Sequence, residues 1–258
     1  MNIRERLYIA TYATNSLDVI RSNGLGMESN HVCITEYLNK ENIDETYREI
    51  NKDVKHCGCK EKLIIHGPFT EIIPMGIDKR IVMTGMDRLN EAADVGIKIG
   101  AKKMVVHTGL IPQMYFDEWH IEKSSIFWSE FISNKPKDFE LVIENVFENS
   151  PKALKEIIDN IDDPRVGICL DVGHAHAVEK QYSAQDWVSY LGNRIKHFHI
   201  HDNIGGGKDL HGPMGSGTID YVSVFKSIGK NCSDDVTFTI ESMNCEDSVR
   251  WLAEKEYI

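Results

Sequence analysis

Short apolar runs recur along the chain, each followed by a longer stretch in which apolar residues return at helical spacing. The runs read LYIATY (7–12), GMESNHV (26–32), KLIIHG (62–67), KMVVHTG (103–109), ELVIENV (140–146), VGICLDVG (166–173), IKHFHIHD (195–202) and VTFTIES (236–242). They are short, mostly apolar and partly β-branched, the profile of parallel strands covered on both faces. Between them, RLNEAADVGIKIG (88–100) and PKALKEIIDNI (151–161) carry a helical period; Pro151 suits a first turn, and Asp162, Asp163 and Pro164 close the segment. Eight strands alternating with helices over 258 residues predict an α/β protein, a single (β/α)8 TIM barrel of parallel strands spanning 1–258. An open doubly wound sheet would ordinarily carry a Gly-rich turn after its first strand, and here that turn reads Ala13-Thr14-Asn15-Ser16.

The runs break at polar residues in one register. Strands three to eight end at His66, His107, Glu144, Asp171, His199 and Glu241. Side chains alternate along a strand, so residues two apart share a face. Two positions back stand Ile64, Val105, Val142, Cys169, His197 and Thr239, a layer that would fill the barrel. One position back stand Ile65, Val106, Ile143, Leu170, Phe198 and Ile240, all apolar, as residues packing outward onto helices must be. The same register places six metal-capable side chains in one inward layer at the C-terminal mouth, where barrel enzymes keep their chemistry. Grouped without a counter-ion, these carboxylates and imidazoles would be costly to bury, and a divalent cation resolves the cost. His174, three residues after Asp171, can fold back over the same ion, and the DxH of Asp209 and His211 can hold another. The mixed His and carboxylate set suits zinc first, with manganese as the alternative, and argues against calcium.

Composition narrows the setting. The chain is 41% hydrophobic and 27% charged with a formal net charge of -11, an ordinary globular profile with no overall basic field for nucleic acid. The loops after the strands offer few cations, chiefly Lys79, Arg80, Lys180 and Lys208, among Glu71, Asp117, Glu118, Glu148 and Glu179. A small substrate fits such a rim better than a duplex. Arg4, Glu5 and Arg6 precede a short strand-like run and no stretch is long enough for a membrane span, so a reduced cytoplasmic protein, monomeric or a small homo-oligomer, is expected. Cys57 and Cys59 beside His56 read as a helix end rather than a zinc site.

Other features read as structural. Trp119, Phe127, Trp128 and Phe131 fit a helix packed on the barrel. His197 reads as a core histidine, His176 and His201 as rim residues, and Glu28 points to the mouth if the register holds. Gly205-Gly206-Gly207 is a lid hinge or a plain turn. Gly215-Ser216-Gly217-Thr218 is either a phosphate-binding turn or, more simply, a turn ending in a Thr218 cap on a helix starting near Ile219.

HGPF at 66–69, HTG at 107–109, ENV at 144–146, LDVGHA at 170–175, HIHDN at 199–203, DLHGPMGSGTID at 209–220 and IES at 240–242 resemble the xylose isomerase-like TIM-barrel superfamily. That group holds sugar and sugar phosphate isomerases and epimerases and the endonuclease IV class of AP endonucleases. The resemblance runs from roughly residue 60 to 245 as an ordered set. It implies a central metal held by Glu144, Asp171, His199 and Glu241. In the epimerase branch the carboxylates matching Glu144 and Glu241 are the acid/base pair, with His174 orienting a hydroxyl or a neighbouring carboxylate. In the endonuclease branch the positions matching His66, His107, His174, Asp209 and His211 complete a three-zinc cluster. A metal-dependent isomerase or epimerase acting on a sugar or sugar phosphate is therefore expected, with a zinc phosphodiester hydrolase as the alternative and one to three ions per chain. A barrel that binds without turnover would be signalled by a lost central ligand, and all four are present.

Overall fold

In the computed structural model all eight runs become parallel strands that close into a barrel in the order β1 to β8. The structure describes residues 1–178 and 181–258, so Glu179 and Lys180 lie outside the described residues. The strands are β1 (Leu7–Ala10), β2 (Gly26–Ser29), β3 (Leu63–His66), β4 (Lys103–His107), β5 (Glu140–Glu144), β6 (Val166–Asp171), β7 (Ile195–Ile200) and β8 (Thr237–Ile240). The helices on the outside are α1 (Ser16–Asn23), α2 (Ile43–Cys57), α3 (Lys79–Ile99), α4 (Asp117–Ser133), α5 (Lys152–Ile161), α6 (Val172–Ala177), α7 (Ala184–Leu191), α8 (Tyr221–Asn231) and α9 (Cys245–Glu254).

Period-two alternation sorts the strand residues into two separate cores. Ile64, Val105, Val142 and Cys169 form a small cluster inside the barrel, with Tyr8 packed beneath. Ile65, Val106, Ile143, Leu170, Phe198 and Ile240 face outward into the larger layer between sheet and helices. Each such side chain, fully removed from water, contributes about 1.5–3 kcal/mol. Helix and sheet approach closely at Gly96 of α3, where a Cβ would meet Ile65 at 2.3 Å.

Helix ends follow local chemistry. Asp78 caps α3 by accepting from the Arg80 amide, and Ser183 and Asp186 form a reciprocal capping box on α7. Pro151 sits at the N-cap of α5, and Asp162 ends that helix in the left-handed region. Phe127, Trp128 and Phe131 bury on α4 against the barrel, and Cys57 ends α2 before Gly58. All six cysteines are free. One expectation is corrected: the helix after the glycine turn starts at Tyr221, and its cap is Asp220, which accepts from the Ser223 amide. Thr218 instead donates to the Asn203 carbonyl. Among the described residues no helix is long and apolar enough to cross a membrane.

Candidate metal centre

The strand-end residues converge as the register requires. Donor atoms of Glu144, Asp171, His199 and Glu241 all lie within 4.8 Å of one another, and all four residues are buried. His199 Nδ1 stands 3.3 Å from Glu144 Oε1, 3.3 Å from Glu241 Oε2 and 3.9 Å from Asp171 Oδ2. Two further groups flank this centre: His66 and His107 with Glu144 on one side, His174, His201, Asp209 and His211 on the other. His66 Nε2 and His107 Nε2 lie 3.3 and 3.5 Å from Glu144 Oε2. Asp209 Oδ2 is 3.3 Å from His174 Nε2 and 3.0 Å from His211 Nε2.

Three histidines share one arrangement that a metal site requires. His66 Nδ1 lies 2.9 Å from the Gly67 carbonyl, His174 Nδ1 2.9 Å from the Asn145 carbonyl, and His211 Nδ1 2.8 Å from the Glu241 carbonyl. A carbonyl only accepts, so each ring carries its proton on Nδ1 and turns Nε2 to a carboxylate, Glu144 for His66 and Asp209 for His174 and His211. Glu144 Oε1 and His199 Nδ1 are buried without a hydrogen-bond partner. Orphaned buried polar atoms of this kind are rare in folded proteins and mark a missing partner. Carboxylates, inward imidazole nitrogens and two orphaned donor atoms on one floor fit a divalent cation.

The electrostatics agree. Burial opposes charge on Glu144, but His199, His107 and His174 hold its carboxyl well below the usual range. Asp171 is lowered in the same way, by His174 and His201 against the cost of burial. Burial pushes His107 down to about 3, whereas on His211 the hydrogen bond to Asp209 overcomes burial and lifts it to about 9. Against the cost of burial, the neighbouring carboxylates raise His174, His199 and His211, so that these imidazoles favour their protonated form. A divalent ion displaces such protons on binding.

Supporting residues lie where the sequence gave weak signals. His201, expected on the rim, is fully buried, with Nε2 3.1 Å from both Asp171 oxygens. The alternation 197, 199, 201 carried that signal. Gly173 makes room for it: a Cβ there would meet the His201 ring at 2.1 Å. Asn145 clamps the Asp171 backbone through two hydrogen bonds, at 3.0 and 2.9 Å. Tyr12 donates to the Glu241 carbonyl, and its hydroxyl lies 2.9 Å from His211 Nδ1. Nothing in the run containing Tyr12 pointed to it. Glu28 does face inward, fully buried between His197 and His199. His176, also read as a rim residue, is half-buried and meets the Thr218 hydroxyl at 2.8 Å.

The glycine turn does not present a phosphate cradle. Asp202, buried at the end of β7, accepts from the Gly215 amide at 2.9 Å and the Ile219 amide at 3.2 Å. The Ser216 and Thr218 amides go to the Pro213 and Asn203 carbonyls. A carboxylate thus occupies the position an anion would take. Gly205, Gly206 and Gly207 all adopt positive φ and form a turn, tied back by the Gly207 amide to the Ala177 carbonyl. Between this turn and α4 and α5 opens a cavity of about 730 Å³, lined by Tyr115, Phe147, His120 and Glu148 among others. Among the described residues its charged walls are Asp117, Glu118, Glu148 and Glu156 against Lys152.

A closed parallel barrel with His and carboxylate donors gathered at its C-terminal mouth defines a barrel with a candidate metal centre. The chain belongs to the xylose isomerase-like TIM barrel family, whose model matches residues 25–255. Among relatives, the MJ1311 protein of Methanocaldococcus jannaschii is 27% identical over 73% of this chain and 67% of its own length. Probable endonuclease 4 of Mycobacterium leprae is 26% identical over 60% of this chain and 64% of its own. The chain thus spans about two thirds of the length of these relatives. Among solved structures, a D-tagatose 3-epimerase-like protein superposes with a TM-score of 0.78 at 23% identity, covering 98% of this chain and 96% of that one. The TTHB071 protein of Thermus thermophilus, soaked with zinc chloride, gives 0.77 at 21% identity, covering 96% and 97%. At these identities the structural likeness speaks for the fold.

Proposed function

We propose that this chain is a divalent-metal-dependent sugar isomerase or epimerase in which Glu144 and Glu241 move the proton. The observation that carries the reading is the convergence of Glu144, Asp171, His199 and Glu241 within 4.8 Å, with Glu144 Oε1 and His199 Nδ1 buried and without a hydrogen bond. These four residues would hold the ion, zinc first and manganese as the alternative. When bound, a divalent ion supplies polarisation of a carbonyl and its neighbouring hydroxyl. The chain supplies the rest. Glu144 is kept ionised by His199 and His174 against the cost of burial, the state a general base needs. His174, fixed through Nδ1 by the Asn145 carbonyl and 3.3 Å from Glu144 Oε1, orients that carboxylate. Glu241 faces Glu144 across His199 Nδ1, each at 3.3 Å, and returns the proton to the same or the neighbouring carbon. The Asp202-filled turn, where a carboxylate already takes the Gly215 and Ile219 amides, favours an uncharged polyhydroxylated substrate over a phosphorylated one.

A second reading is a zinc phosphodiester hydrolase, favoured by the two flanking donor groups and by the endonuclease 4 relative. The acidic rim disfavours it, because duplex binding needs cations at the phosphates. The test is incubation of the zinc- or manganese-loaded protein with a panel of ketopentoses and ketohexoses in D2O, followed by NMR. Deuterium entering the carbon beside the carbonyl in the wild type, and absent in Glu144→Gln and Glu241→Gln, supports the isomerase. No exchange on any sugar, together with cleavage of abasic-site DNA, replaces it with the hydrolase.

A further inference from the structure

Below the centre a chain of hydrogen bonds runs down the barrel axis to the opposite mouth. Glu28 of β2 accepts from three donors: His199 Nε2 at 3.1 Å on one oxygen, and His197 Nε2 at 3.2 Å and the Thr239 hydroxyl at 2.5 Å on the other. Proton positions follow from counting donors and acceptors. Thr239 gives its single hydroxyl proton to Glu28. His197 Nε2, 3.0 Å from the Thr239 oxygen and 3.2 Å from the carboxylate, then faces only acceptors and must carry a proton. His197 Nδ1 lies 2.6 Å from the Thr237 hydroxyl, which also lies 3.3 Å from the Lys196 carbonyl, and the Thr237 oxygen accepts from Lys103 Nζ at 3.0 Å. Lys103 begins β4 and lines a cavity at the N-terminal mouth with Tyr8, Glu140 and Thr237.

The remaining Glu28 oxygen is also an acceptor, so His199 carries its proton on Nε2 and turns Nδ1 into the centre. That is the reverse of His66, His174 and His211, which carry theirs on Nδ1. We propose that Glu28 is a positioning residue that fixes His199 in this reversed form, so that the buried Nδ1 lone pair faces the metal, while His197, Thr237 and Lys103 hold Glu28 in place. Glu28 also lies within 4.8 Å of donor atoms of His66 and Glu241. With three hydrogen bonds already on its two oxygens, it serves His199 rather than the ion. The inference rests on the metal reading above and names a residue that reading does not use.

Two measurements test it, with zinc alone as the probe. Competition against a chelator gives stoichiometry and affinity for the wild type, Glu28→Gln, Glu28→Ala and Lys103→Met, each checked for folding by metal-free circular dichroism. We expect unchanged stoichiometry throughout, affinity about tenfold weaker in Glu28→Gln and about a hundredfold weaker in Glu28→Ala, the range for lost outer partners of a metal-bound histidine. Lys103→Met should weaken it less than either. Long-range 15N–1H spectra of the zinc-loaded wild type need no variant, and should show His199 protonated on Nε2, like His197 and His201 whose Nε2 atoms face carboxylates, beside His66, His174 and His211 protonated on Nδ1. A wild type that binds zinc with Glu28 variants of equal affinity would overturn the positioning role alone. So would loss of an ion in Glu28→Gln, or a His199 protonated on Nδ1. A wild type that takes up no zinc would overturn the metal centre and this inference together.

Discussion

At the N-terminal mouth of the barrel, Lys103 Nζ lies 3.2 Å from Glu140 and Lys196 Nζ 3.4 Å from the same carboxylate, while Lys103 also donates to Thr237. At the C-terminal mouth the same strands end in Glu144, Asp171 and Glu241, and among the described residues every ion partner of these three is a histidine. Both mouths are built from charged side chains on neighbouring strands. The lower one is closed by lysines. The upper one is closed by titratable imidazoles, and it keeps buried polar atoms without a hydrogen-bond partner that an ion could satisfy. The difference teaches where to look for chemistry: charge closed by Lys or Arg is structural, whereas charge left to titratable imidazoles awaits a partner.

The contrast can be broken by substitution. Glu144→Gln and Glu241→Gln should each lower turnover on a confirmed sugar by about 10²–10⁴-fold, the share a proton-transfer group carries; steady-state kinetics on the metal-loaded protein checks it, and full activity in either variant would remove that residue from proton transfer. Next in size is metal linkage: at a zinc concentration about 1,000-fold above Kd, the folded state should gain about 4 kcal/mol, read as a rise in melting temperature that a chelator reverses. Asp202→Ala should cost about 1–3 kcal/mol by leaving the Gly215 and Ile219 amides without their partner, measured by urea unfolding. Gly173→Ala, forced against the His201 ring, should cost a similar 1–3 kcal/mol and also weaken zinc binding, because Asp171 loses its orienting partner. The smallest effect belongs to the lower mouth: Glu140→Gln should change stability by about 1 kcal/mol or less and leave zinc content untouched.

Much of this was legible in sequence because a two-residue period is unforgiving. A shift of one position would have sent His66, Glu144 and Asp171 into the helices and Ile65 or Leu170 into the centre. The barrel, its inner and outer layers and the convergence of the strand-end residues all follow from that register. What escaped lies where the period stops. His201 follows the last residue of β7, so its inward direction was taken for rim exposure. Thr218 looked like a cap because Asp220, two residues later, competes for the same role. Asp202 filling the glycine turn depends on a loop folding back across 13 residues to reach Gly215, and no local pattern encodes that. Glu28 was seen to face the mouth, but its partners come from β7 and β8, more than 160 residues away.

The most direct measurement is metal content per chain, by mass spectrometry on protein purified without chelator or affinity tag. We expect at least one divalent ion bound stoichiometrically. Close to one would favour the centre of Glu144, Asp171, His199 and Glu241 alone and the isomerase; two or three zinc ions would bring in His66, His107, His174, Asp209 and His211 and move phosphoester hydrolysis ahead. Metal-free protein whose melting temperature zinc and manganese leave unmoved would contradict the metal centre itself.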